Sequence, residues 1–126
     1  MSIATDQTAA QQIDAAITAH SRWKHRLKEL VQTGKSDIDA ATATRDDACE
    51  FGKWLQAYRP TAKEKASYEA VRTKHAEFHR VVGGVVRLVA SSQKAEAMKS
   101  MDMGSPFASV SAALTLEMMN WKRIIA

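Results

Sequence analysis

The sequence predicts an all-α protein, an antiparallel four-helix bundle with a short second helix. Three observations carry that expectation. Gly and Pro are scarce, five and two in 126 residues, while good helix formers such as Ala, Lys, Glu and Met are frequent. Apolar residues recur three and four apart through three long stretches. Turn and cap residues fall at the joints between those stretches.

The first helix is expected from about Asp6 to Thr33, with Ile13, Ala16, Ile17, Leu27, Leu30 and Val31 at helical spacing. His20 and Trp23 fill the gap in that stripe, and Gly34 is a stop signal. Residues 35–44, KSDIDAATAT, are small and polar and read as a loop. A short second helix follows from about Arg45 to Tyr58, closed by Pro60. The third opens at Thr61, where TAKE has the form of a capping box with Glu64. Its stripe is Tyr68, Val71, His75, Phe78, Val82, Val85 and Val89, with His79 beside it. Gly83 and Gly84 interrupt that helix, which points to close approach by another helix or to a kink. Residues 91–104 read as a short helix or an irregular connection. Ser105 then stands as N-cap with Pro106 at the first helical position, ahead of Phe107, Val110, Leu114, Trp121 and Ile124 on one face. Size and continuity predict one domain over residues 1–126.

Composition narrows the function classes. The net charge is +4, yet the basic residues are scattered and not interleaved with aromatics, so nucleic acid is not an expected partner. No run is long and apolar enough to span a bilayer, and the N-terminus lacks the form of a secretion signal; the expected location is the cytoplasm. One cysteine, Cys49, precludes an internal disulfide. The sequence reads either as a stand-alone protein or as a fragment of a longer one, and the Met-Ser start favours a complete short gene product.

The chemistry concentrates in KHAEFHR, residues 74–80. Four helical residues turn about 400°, so His75 and His79 lie about 40° apart on one edge of a helix. Along an apolar stripe the pair faces inward. Two readings stand level on the pair alone: metal ligands, or core histidines satisfied by hydrogen bonds. His20 tips the balance as the polar member of the inward stripe of helix one, and Cys49 supplies a fourth donor. Three imidazoles and one thiolate form a closed tetrahedral set suited to Zn²⁺. His25, about 140° from His20, belongs to the surface. Trp23 and Trp54 are candidate apolar neighbours of the metal, and Trp121 is expected in the core. Met98, Met101 and Met103 read as a connection without a role, ahead of the alternative of an adaptable partner surface. Met118 and Met119 read as packing of the last helix or a dimer contact.

These blocks resemble the chemoreceptor zinc-binding domain family: AHSRWK around His20, CEFGKW around Cys49, and HAEFH at His75 and His79. The cysteine block is the most specific of them. The resemblance implies a four-helix bundle holding one zinc through His20, Cys49, His75 and His79. It further implies a homodimer that regulates an output module of chemotaxis or cyclic-di-GMP signalling in response to zinc or to oxidants such as hypochlorous acid. Neither a receptor coiled coil nor a cyclase accompanies the sequence. Four protein ligands leave no open position for water, and no HExxH stands in the chain, so a zinc hydrolase is not expected. The alternatives are a zinc-stabilised structural bundle and a di-iron hemerythrin-like bundle. The second needs Glu-x-x-His spacing, whereas Glu77 precedes His79 by two.

Overall fold

A computed structural model describes residues 8–34, 43–45 and 49–125. Among them are five α-helices and no strand: α1 (Ala9–Thr33), α2 (Glu50–Ala57), α3 (Lys65–Ala90), α4 (Lys94–Lys99) and α5 (Pro106–Ile125). The all-α class agrees with the sequence expectation.

Helix ends show where local chemistry overrides periodicity. The expected start of α1 at Asp6 lies outside the described residues. Thr8 is extended and caps the helix, its hydroxyl accepting from Gln11 N–H while the Gln11 side chain accepts from Thr8 N–H. That reciprocal pair satisfies two otherwise orphaned donors and fixes the start at Ala9. Gly34 ends α1 as predicted, in the left-handed region at φ 71°, its N–H reaching the Leu30 carbonyl.

Ala43 and Thr44 take helical backbone within the stretch read as loop, whose residues 35–42 lie outside the description. α2 begins at Glu50, five residues after the expected Arg45, because Cys49 is the N-cap: its backbone is extended and its sulfur accepts from Gly52 N–H at 3.3 Å.

The expected capping box at Thr61 does not open α3, which begins at Lys65. The Glu64 carboxylate accepts from both the Thr61 N–H and the Thr61 hydroxyl, at 2.9 and 2.7 Å. The hydroxyl thus donates to the carboxylate, whereas a capping box needs it to accept from backbone. The other carboxylate oxygen accepts from the Tyr58 hydroxyl at 2.7 Å and the Trp121 indole N–H at 3.0 Å. Burial pushes the Glu64 carboxyl upward, but these four donors outweigh it and hold the group down at about 2. Burial first, then the bond to Glu64 and its charge, raises the Tyr58 phenol to about 12. One buried carboxylate thereby ties the end of α2 to the start of α3 and to α5.

α3 packs most extensively on α5, and α1 contacts every other helix. The core runs along these faces through Ile13, Leu27, Val71, Phe78, Val82, Phe107, Leu114, Met118 and Trp121, each 1% exposed or less. Trp121 is core as predicted; Ile124 is only partly buried, and Met118 takes the inward place. The two glycines of α3 differ. Gly83 is approached closely, by Thr44 instead of a long helix, while Gly84 has open space and α3 continues unbroken. Ser105 caps α5 as expected, its hydroxyl accepting from Ala108 N–H at 3.2 Å.

Candidate metal centre

Three helices bring His20, Cys49, His75 and His79 together. α1 turns His20 inward along the Ile13–Ala16 stripe, α2 presents Cys49 at its first turn, and α3 presents His75 and His79 one turn apart. One ligand atom from each of the four lies within 4.8 Å of all the others. His75 is 1% exposed, His79 4% and His20 7%, while Cys49 is half-buried. His25 is exposed, as its helical angle predicts.

The distances suit a small tetrahedral cation. His79 Nε2 and His75 Nε2 are 3.1 Å apart, and Cys49 Sγ is 3.3 Å from His75 Nε2. Zinc bond lengths at tetrahedral angles give edges of about 3.3 Å between nitrogens and about 3.6 Å from sulfur to nitrogen. The hydrogen bonds behind the rings settle their tautomers. His20 Nδ1–H donates to the Ala16 carbonyl at 2.7 Å, and His79 Nδ1–H donates to the Ala43 carbonyl at 3.0 Å. Each bond leaves the lone pair on Nε2. His75 Nε2 faces both the His79 nitrogen and the thiol, and one proton there serves only one neighbour. A cation accepts from all of them at once, which makes the donor set a fit for a metal.

The electrostatics favour the form that binds. Burial drives His20 down to about 4 against the pull of the Ala16 carbonyl, with His79 adding to the lowering. Burial, then His79 and His20, drives His75 to about 2. Both rings are neutral near pH 7, as ligation requires. Cys49 sits where Gly52 N–H and the positive end of α2 complement a thiolate.

Aromatic rings close the apolar side. Phe51 meets His20 and His75 edge-on at 6.1 and 5.3 Å, and Phe78 meets His20 at 5.0 Å. Trp54 stacks on Phe51 and reaches Tyr58 and Trp121, so it links the site to the Glu64 cluster. Trp23, with Ala15, Ala16, Ala19 and Phe51, lines a cleft of about 320 Å³ that leads to Cys49 and His20. Sequence reading gave Phe51 and Ala43 no role, placed Phe78 only in the inward stripe of the third helix and took Glu64 only for a capping residue. The two phenylalanines stand inside the quoted CEFGKW and HAEFH blocks. A backbone carbonyl leaves no mark in a sequence.

A family model described as the chemoreceptor zinc-binding domain matches residues 20–86, more than half of the chain. The match opens on His20 and extends past His79. No curated protein and no solved structure matches the chain.

Proposed function

We propose a function from the premise that this chain belongs to the chemoreceptor zinc-binding domain family. The protein is a non-enzymatic regulatory domain that holds one Zn²⁺ through His20, Cys49, His75 and His79 and answers zinc or oxidant by a conformational change read by a signalling partner. The convergence of three imidazoles and one thiol from three helices is the observation that carries this reading. Bound zinc would supply a structural cross-link between helices, with all four positions filled by protein and none left for substrate. α1, α2, α3 and α5 are read as the four helices of an antiparallel bundle within a single domain, and α4 as part of a connection.

The thiol is the oxidisable element. It lines the cleft of about 320 Å³ and caps the shortest of the ligand-bearing helices. Hypochlorous acid would convert the Cys49 thiolate to sulfenic acid, sulfur giving up two electrons and chloride leaving. The product is a poorer ligand, so the start of α2 is released. Titration of the zinc-loaded protein with hypochlorous acid is expected to release zinc in step with modification of Cys49. Unchanged metal occupancy and an unchanged conformation at full oxidation would sink the oxidant reading and leave a zinc-stabilised structural domain.

Among the described residues no helix is long and apolar enough to cross a membrane; we place the protein in the cytoplasm. Leu116 and Met119 are 56% and 50% exposed on α5 and border a hollow with Ile17 and Lys24 of α1. We assign this face to the homodimer. A Leu116→Glu/Met119→Glu variant is expected to sediment as a monomer while still binding one zinc per chain. Sedimentation velocity checks it, and an unshifted species would move the dimer contact elsewhere.

A further inference from the structure

We propose that Gly83 is a positioning residue for His79, acting through Thr44 and Ala43; the inference rests on the metal-binding reading above. His79, Gly83 and Arg87 stand four apart on one face of α3 and together hold two consecutive residues of the segment that crosses it. His79 Nδ1–H donates to the Ala43 carbonyl at 3.0 Å. Thr44 lies directly against Gly83. A Cβ at Gly83 would overlap the Thr44 hydroxyl oxygen and stand 3.0 Å from its Cβ and 3.2 Å from its Cα. Arg87 Nη2 donates to the Thr44 hydroxyl from the outer side at 3.4 Å.

The Thr44 Cβ, which no rotamer change moves, stands at 3.0 Å, so turning the hydroxyl away does not by itself clear the contact. The segment must lift, and the Ala43 carbonyl lifts with it. That carbonyl fixes the His79 ring with its proton on Nδ1 and its lone pair on Nε2, 3.1 Å from His75 Nε2. Glycine inside a helix sacrifices helix stability relative to alanine, and at Gly83 the missing methyl is what lets the segment seat. Gly84 carries the same helical cost with nothing within 4 Å of a Cβ. It is therefore an internal control, since alanine there improves the helix without touching the segment.

Loss of an outer partner of a ligating histidine typically weakens metal binding by about 10–100-fold. Zinc affinity of the full chain, measured by competition with a chromophoric chelator, is expected to fall by roughly that factor in Gly83→Ala and to stay at the wild-type value in Gly84→Ala. In the zinc-free protein, nitrogen-15 spectra of the His79 ring are expected to show the proton on Nδ1 in the wild type and in Gly84→Ala, and a mixture of tautomers in Gly83→Ala. The pair Gly83→Ala/Thr44→Gly, which removes the obstructing side chain, is expected to regain affinity and the Nδ1 proton. Should Gly83→Ala alone fail to fold, that pair carries the test. Wild-type affinity and tautomer in Gly83→Ala, or a pair that recovers neither, would overturn the role of Gly83. A wild-type chain that binds no zinc would instead remove the metal-binding reading itself.

Discussion

His75→Ala is expected to bind zinc about a hundred-fold to a thousand-fold more weakly than the wild type. Structural zinc sites contribute about 10–16 kcal/mol of apparent binding free energy, so one ligand in four carries about 2.5–4 kcal/mol. His75 is the centre of the set: its Nε2 lies within 3.3 Å of both His79 Nε2 and Cys49 Sγ, and the ring is 1% exposed. Because the ligands come from α1, α2 and α3, binding free energy is also folding free energy. The wild type is expected to lose thermal stability when a chelator strips the metal, whereas the melting temperature of His75→Ala should respond to zinc by a clearly smaller shift. Isothermal titration and thermal melts with and without chelator make the comparison. An unchanged zinc affinity in His75→Ala would show that the four side chains, though neighbours, do not hold the ion.

The candidate donors were readable because a helix converts spacing into direction. His75 and His79 had to share an edge, and His20 had to follow Ile13 and Ala16 inward. Cys49 was harder. Periodicity runs it into a helix from Arg45, yet it is the extended N-cap of a helix that starts at Glu50, and that position lets the sulfur meet both Gly52 N–H and His75. The family blocks, not the periodicity, pointed to it most specifically. What stayed hidden depended on contacts between segments distant in the chain. The Ala43 carbonyl against His79 is 36 residues away, and the Trp121 indole against Glu64 is 57 away. The doublet Gly83–Gly84 signalled a close approach but not which glycine was approached. The TAKE motif signalled a cap, but the carboxylate is drawn to partners that local sequence does not contain.

Glu64→Gln is expected to destabilise the zinc-free protein by about 3–5 kcal/mol at pH 7, with roughly 10 °C or more lost from the melting temperature. The carboxylate is 4% exposed and takes two donors on each oxygen: the Tyr58 hydroxyl and Trp121 indole on one, the Thr61 N–H and hydroxyl on the other. An amide of the same shape turns one acceptor into a donor. Whichever way it is rotated, its NH₂ faces two groups that can themselves donate. The pH dependence separates the charge from the shape. The folded carboxyl sits at about 2, below the 4.5 of the unfolded chain, so the unfolded state binds the extra proton and this contribution is full above pH 4.5 and lost as pH falls toward 2. His20 and His75 also weaken the zinc-free fold as pH falls below 6.5, because burial keeps them neutral while the unfolded chain protonates. That loss is common to both proteins and cancels in the difference. Urea unfolding of both zinc-free proteins at pH 7, 5 and 3 should therefore give a gap that is constant between pH 7 and 5 and shrinks at pH 3. A gap that narrows already between 7 and 5, or none at all, would refute the buried carboxylate as the clamp. If the clamp holds, its consequence reaches the metal site: Tyr58 follows the last turn of the helix whose first turn is capped by Cys49. Releasing that end frees α2 to tilt, and the thiol would be presented less firmly to His75.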